Sequence, residues 1–421
     1  MSSWNLTEWM KRGLIWSESR AGRICGLTCL ALAIGSCWWS STRIGAGTDI
    51  FPLHFIGLGV LNGIHIYDHA VQSEQFASRY AVGLPEVVYP PSTGFAMAPF
   101  SLLPASLVPG VWLFAMIIVA VLGLRSLAQF LRPKANWALW AAVVLLSSCI
   151  RWGVTPLQGA PLMMGLLALF YPAVIREKYG RAGVIAAYAV AFKFTMALPF
   201  VGLLAIRRKW GIVLFLACSW AALNVLGFAR VGGLTAFADY RHSVAGFESM
   251  AYINTPDPWA SFSVPRVDLV YLLYGITRNV PLSHFLTLAA CGLTLGYLTL
   301  RAWQFGSGAV RSHLPAFIMP LVCVSMLSVY HHHYDLALAA VPLMLAWLPP
   351  SSLPSAPHAI LGPLTWPLAA VMAFVPVGTV QSALNLFSPV AVGIFHMAFP
   401  IATCLALFDS LRVLKGLRIT G

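Results

Sequence analysis

Asp49, Lys193 and the run Tyr330-His331-His332-His333-Tyr334-Asp335 carry the side chains most able to do chemistry in this sequence. Asp49 is the first carboxylate after the first long apolar run, Ile24 to Trp39. A charged acid at such a position is costly unless it is solvated, paired or employed. As a general base it could take a proton from a hydroxyl; as a helix cap it would face the positive end of the helix dipole. The residues alone leave both readings open. Lys193 sits inside an apolar stretch with no acid in its own segment, where a lysine costs about 2.5–3.5 kcal/mol. It either snorkels, meets an acid from another helix, or faces a phosphate in a cavity. Three consecutive histidines cannot all face one point, so His331, His332 and His333 make a poor metal site by themselves. The remaining readings are a solvated interfacial cluster and contact with an anion or substrate.

The elements that hold these residues follow from composition. Of the 421 residues, 59% are hydrophobic and 9% charged, with a mean hydropathy of +0.79, which excludes an ordinary soluble globular chain. Apolar stretches of roughly the 20 residues needed to cross a bilayer fall near 24–40, 105–124, 137–150, 160–175, 182–206, 210–228, 283–300, 314–329, 336–348, 359–378 and 390–410. The stretch 182–206 has basic clusters at both ends and is expected to be two short halves hinged near Lys193. That gives an all-α, polytopic membrane protein of about twelve transmembrane helices, a single domain over 1–421.

Charge sets the orientation, because cytoplasmic loops carry an excess of Lys and Arg. Lys11, Arg12, Arg20 and Arg23, then Arg125, Arg132 and Lys134, then Arg176, Lys178 and Arg181, then Arg207, Arg208 and Lys209 fall on one side. Arg301, Arg311, Arg412, Lys415 and Arg418 join them. Asp49, Asp68, Glu74, Glu86, Asp239, Glu248, Asp257, Asp268 and Asp335 fall on the other. The net charge of +13 therefore reflects topology, and no nucleic-acid partner is expected. The eight cysteines lie in the proposed spans without paired spacing and read as small buried hydrophobes. The first apolar segment reads as a retained anchor, since Trp38-Trp39 stand where small cleavage-site residues would be expected.

Two outer loops are long, 41–104 and 229–282. In the first, Leu53, Ile56, Val60, Ile64 and Tyr67 recur at helical spacing, which predicts an amphipathic helix along the outer interface with Asp49 at its start. Tyr89-Pro90-Pro91 predicts an extended approach followed by a new helix, since proline fixes φ and disfavours helix in the residue before it.

Four separated pieces of the sequence resemble glycosyltransferase family 87, the membrane-embedded GT-C type that uses polyprenyl-phosphate sugars. They are Asp49 leading to Gly63 and Ile66-Tyr67-Asp68; Val88-Tyr89-Pro90-Pro91 with Pro99, Leu103-Pro104 and Trp112; Gln158 followed by Lys193; and His332-His333-Tyr334 ahead of Pro342. The resemblance implies a GT-C-like fold and transfer of a sugar, mannose before a pentose, from a polyprenyl-phosphate donor. The acceptor would be a hydroxyl of a lipid-linked or cell-envelope glycan.

The chemistry of such a donor is economical. The released phosphate monoester has a second pKa of about 6, so no general acid is needed at the leaving oxygen. One base suffices, unlike the two carboxylates of a glycosidase. Asp49 is the expected base, with Asp68 its nearest rival. Lys193, His332 and His333 are expected at the donor phosphate, and Asp68, Tyr89, Gln158, His331 and Tyr334 at the substrates. The outer loops hold no Asp-x-Asp motif, so neither a metal nor another cofactor is expected. The implied setting is the inner, or plasma, membrane, with the site on its extracytoplasmic side. The competing readings are a secondary transporter with a midplane site near Lys193, against which the lack of hydropathy repeats argues, and a noncatalytic lipid-binding subunit.

Overall fold

A computed structural model describes residues 17–43, 49–80, 87–247, 255–260, 264–348, 365–385 and 388–417. Lys11, Arg12, Glu86, Glu248, Arg418 and the first part of the stretch 359–378 lie outside these residues. Among the described residues the protein is helical, and its only extended pairing is an isolated antiparallel bridge between Arg266 and His332.

The apolar stretches become helices with recognisable ends. Proline at the first turn opens Val108–Leu131, Ala160–Ile175, Leu198–Ile206, Val280–Gln304 and Pro389–Gly416, a position whose missing N–H has no intrahelical partner to lose. Asn279 and Ser388 add side-chain caps to the last two. Among the described residues, five helices are long and apolar enough to cross a bilayer: Arg20–Thr42, Val108–Leu131, Trp210–Val231, Val280–Gln304 and Pro389–Gly416. Trp137–Leu145 and Ser148–Val154, bent by 67°, make a sixth if they are one span. The other apolar stretches form shorter helices, including Ile50–Asn62, Ala160–Ile175 and Tyr179–Phe192. Among the described residues helix length therefore supports five or six crossings where the sequence suggested about twelve, and stretches such as 137–150 and 182–206 are broken before they reach spanning length.

Both the packing and the surface fit a bilayer. Val108–Leu131 lies against Ala160–Ile175 at a crossing made by two glycines: a Cβ on Gly123 would come within 2.2 Å of the Gly165 carbonyl oxygen. Small residues at such a crossing let two backbones approach. Large apolar side chains such as Leu214, Phe215 and Leu226 are exposed along Trp210–Val231, as expected of a surface that meets lipid.

The helix that begins after Asp49 differs from its sequence reading. It runs from Ile50 to Asn62 and stops at Gly63, whose φ of 71° is left-handed, so Ile64 and Tyr67 lie beyond it. It is not an interfacial helix with one wet face. Leu53, Ile56 and Val60 are buried, and so are His54, Phe55 and Gly57 on its other sides. His54 tolerates burial because its Nδ1 meets the Tyr80 hydroxyl at 2.5 Å and its Nε2 meets the Leu103 carbonyl at 3.1 Å. The helix Pro91–Ser101 packs on it, and the two approach closely where a Cβ on Gly94 would meet the Ile56 carbonyl oxygen at 2.8 Å. As expected, Pro90 is extended (φ −70°, ψ 159°) and the helix starts at Pro91.

Candidate active site

Asp49 stands at the start of Ile50–Asn62, yet its side chain makes no capping hydrogen bond. Its Oδ2 instead accepts from Gln158 Nε2 at 2.5 Å, and its backbone N–H donates to the Pro156 carbonyl at 3.2 Å. The turn that supplies both contacts is itself held in place. Leu157 sits at a left-handed φ of 60°, uncommon for a side chain other than glycine, and its carbonyl accepts from Trp112 Nε1 at 2.9 Å. Trp112 is fully buried and packs on Phe100 and Phe192. Gly159 leaves no room for a side chain, since a Cβ there would come 2.3 Å from the Phe192 ring.

Phe192 ends the helix Tyr179–Phe192, and Lys193 follows in a non-helical conformation (φ −145°, ψ 79°) before the chain resumes as Leu198–Ile206. The break expected at Lys193 is thus present. Of the sequence alternatives, Lys193 meets an acid from another element: its Nζ is 2.8 Å from Asp335 Oδ1, with the two side chains 14% and 3% exposed. The other carboxylate oxygen of Asp335 contacts His331 Nδ1 at 2.8 Å. In the sequence Asp335 was noted as the end of the histidine run and among the outer acids, without a role at the substrates. Two signals pointed to it: a lysine at span depth needs a counterion, and His331 and Asp335 are four residues apart.

The histidine segment is pinned by residues 265–268. Val267 N–H donates to the His331 carbonyl at 2.8 Å, beside the Arg266–His332 bridge. Arg266 is buried, pairs with Asp268 at 2.8 and 3.0 Å, and lies over the Tyr330 ring at 4.5 Å. Tyr330 in turn hydrogen-bonds His332 Nε2. Arg266 did not stand out in the sequence, and Tyr330 was noted only as the head of the histidine run, because their pairing depends on a contact across more than sixty residues. His333 is buried between Trp152 and Phe399, and neither of its ring nitrogens has a hydrogen-bond partner. Lys193 Nζ is 5.9 Å from the centre of the Tyr334 ring.

The structure joins most of the expected residues into one electrostatic neighbourhood. Asp49 is influenced by Gln158, Lys193 and Asp335, and Tyr89 by Gln158 and Asp49. Burial pushes the Asp49 carboxyl above the usual carboxylate range, opposed by the Gln158 hydrogen bond and the Lys193 charge. Burial likewise pushes His332 down to about 3, against the pull of Asp335. Asp68 is not drawn in. Its carboxylate caps the turn His69–Val71, accepting from the N–H groups of Ala70 at 2.8 Å and Val71 at 3.1 Å. Those two bonds, both to Oδ1, hold its pKa down. Among the described residues, no three His, Cys, Asp or Glu side chains converge as metal ligands.

One carboxylate raised in pKa, one buried lysine paired with Asp335, and the His332 and His333 rings, whose pKa burial lowers, form a site suited to group transfer between neutral and phosphorylated partners. The family model described as glycosyltransferase family 87 matches residues 88–330, more than half of the chain. The chain belongs to glycosyltransferase family 87. No curated protein and no solved structure matches it. The matched segment of this family 87 transferase carries Tyr89, Gln158 and Lys193, while Asp49 and the residues from His331 to Asp335 lie outside it on either side. Folding closes that gap, through the Asp49–Gln158 and Lys193–Asp335 contacts.

Proposed function

We propose that this glycosyltransferase moves a sugar, mannose in the first instance, from a polyprenyl-phosphate donor to a hydroxyl of a lipid-linked or cell-envelope glycan. The reaction is inverting and takes place at the outer face of the inner membrane. The observation that carries this reading is the Asp49 carboxylate, which leaves its helix uncapped and turns to Gln158. An acid spent on capping would be structural; one held on a side-chain amide beside a buried cation is arranged for use.

The acceptor oxygen attacks the anomeric carbon as the bond from that carbon to the phosphate oxygen breaks. Asp49 takes the hydroxyl proton, and the phosphate monoester leaves with the bonding electrons. A raised pKa makes the ionised Asp49 carboxylate a stronger base. Charge then builds on the leaving phosphate, where preorganised donors lower the barrier. Lys193 has three N–H donors, of which Asp335 takes one, leaving two for phosphate. His332 and His333 enter uncharged and contribute N–H groups. Gln158 and Tyr89 hold the base, and Tyr334 and His331 line the approach to Lys193.

The test is transfer of labelled sugar from purified polyprenyl-phosphate donor by the Asp49→Asn variant in detergent or nanodiscs. Loss of a positioned base lowers turnover by about 100-fold or more, with donor binding kept. Turnover equal to wild type removes Asp49 as the base.

A further inference from the structure

A small cleft at the far end of the bundle holds basic side chains that the transfer reaction does not use. It lies where Val108–Leu131 and Ala160–Ile175 end and Tyr179–Phe192 begins. Ser126, Arg176, Lys178 and Arg181 line it. Its volume is about 20 Å3, room for roughly one oxygen atom. Gln158 and Lys193 stand at the opposite ends of the same two helices, of 16 and 14 residues, which puts the cleft about 20 Å from them.

The local backbone keeps this cleft free of acid. Glu177 is the one carboxylate in the connecting turn, and its φ of 59° is left-handed. Its side chain goes to Arg207, 2.9 Å away. Arg176, Lys178 and Arg181 thus face the cleft with no acidic side chain in its lining. Arg176 is oriented by the Phe130 ring, 5.1 Å from its guanidinium, and nearby Lys209 lies 4.2 Å over Tyr179. Basic and aromatic residues mixed in this way mark headgroup depth. The remaining walls, Leu169, Pro172 and Ala173, are apolar, which suits the apolar part of a lipid outside the cleft and gives nothing to a free ion.

We propose that this cleft is a binding site for the phosphate of an anionic phospholipid, with one phosphate oxygen entering beside Ser126 and the charge met by Arg176, Lys178 and Arg181. The ligand is a structural lipid of the opposite end of the bundle from the transfer site. The inference stands on this cleft alone and does not rest on the proposed reaction.

The probes are phosphatidylglycerol, phosphatidylcholine and inorganic phosphate, added to the full-length detergent-purified protein. Binding is read by native mass spectrometry and by the shift in unfolding temperature. Phosphatidylglycerol is expected to bind and stabilise, phosphatidylcholine and inorganic phosphate to do neither. Each basic side chain near a membrane surface is worth about a fivefold change in affinity. Arg176→Gln with Arg181→Gln should therefore weaken phosphatidylglycerol binding about 25-fold, with unfolding in the absence of lipid unchanged. Arg208→Gln, at the same end of the bundle but outside the cleft, should leave binding as in wild type. Equal loss in the Arg208 variant, or equal binding of phosphatidylcholine, overturns the site in favour of general surface attraction. Stabilisation by inorganic phosphate to the same extent overturns the lipid assignment. A double variant that unfolds early without lipid is replaced by Lys178→Gln, for which about fivefold weaker binding supports the site and unchanged binding overturns it.

Discussion

Lys193 Nζ and Asp335 Oδ1 lie 2.8 Å apart in the interior of the protein, joining a helix break to the segment that carries the three histidines. Breaking such a buried pair from one side leaves an uncompensated charge and costs about 3–5 kcal/mol. Asp335→Asn should therefore lower the unfolding temperature sharply. The double variant Lys193→Met with Asp335→Leu should recover much of that stability while remaining inactive. Thermal unfolding in detergent, paired with a transfer assay, separates the two effects.

Asp49 should show itself in the pH profile. Its carboxyl is pushed above the usual range by burial, and only its ionised form accepts a proton. Activity therefore falls as pH drops through the raised value, and the acid limb of kcat/KM lies above the unperturbed value of about 3.9. Gln158 donates to the ionised form, so Gln158→Leu should move that limb to higher pH. A limb that stays fixed in this variant would mean that the titrating group is not Asp49.

Trp112 holds the Leu157 carbonyl at 2.9 Å and thereby the turn that presents Gln158. Trp112→Phe keeps most of the ring but orphans that buried carbonyl, at a cost of about 1–3 kcal/mol. Steady-state kinetics should show a fall in kcat with little change in the donor KM, because the base moves while the phosphate contacts remain.

Gly123 and Gly165 let two helices touch backbone to backbone. Gly123→Ala forces a Cβ into a carbonyl oxygen and should destabilise by about 1–3 kcal/mol, measurable as a lower unfolding temperature. Gly110→Ala, on the same helix with open space beside its Cα, should leave that temperature unchanged or slightly raised.

Much of this arrangement was legible in the sequence, for reasons that can be named. The stretch 160–175 coincides with the helix Ala160–Ile175 because a continuous apolar run bounded by Pro161 and Arg176 admits little else in a bilayer. The break at Lys193 could be read from the basic clusters on both sides of one apolar stretch. The cross-chain contacts were not legible. Periodicity in 53–67 suggested a wet interfacial face, but the actual neighbour of that helix is Pro91–Ser101, whose glycine a pattern within one segment cannot reveal. Asp68 looked like a rival base, and only the N–H groups of Ala70 and Val71 show it to be a cap. The partnership of Asp335 with Lys193 depends on folding across 142 residues.

The strut formed by Ile50–Asn62 is fastened at both ends. Asp49 donates to Pro156 at its start, and Arg230 grips the Val60 and Leu61 carbonyls near its finish. A carboxylate mounted in this way takes its position from the body of the protein. Loss of either fastening should therefore displace the carboxylate even with the Asp49 side chain intact.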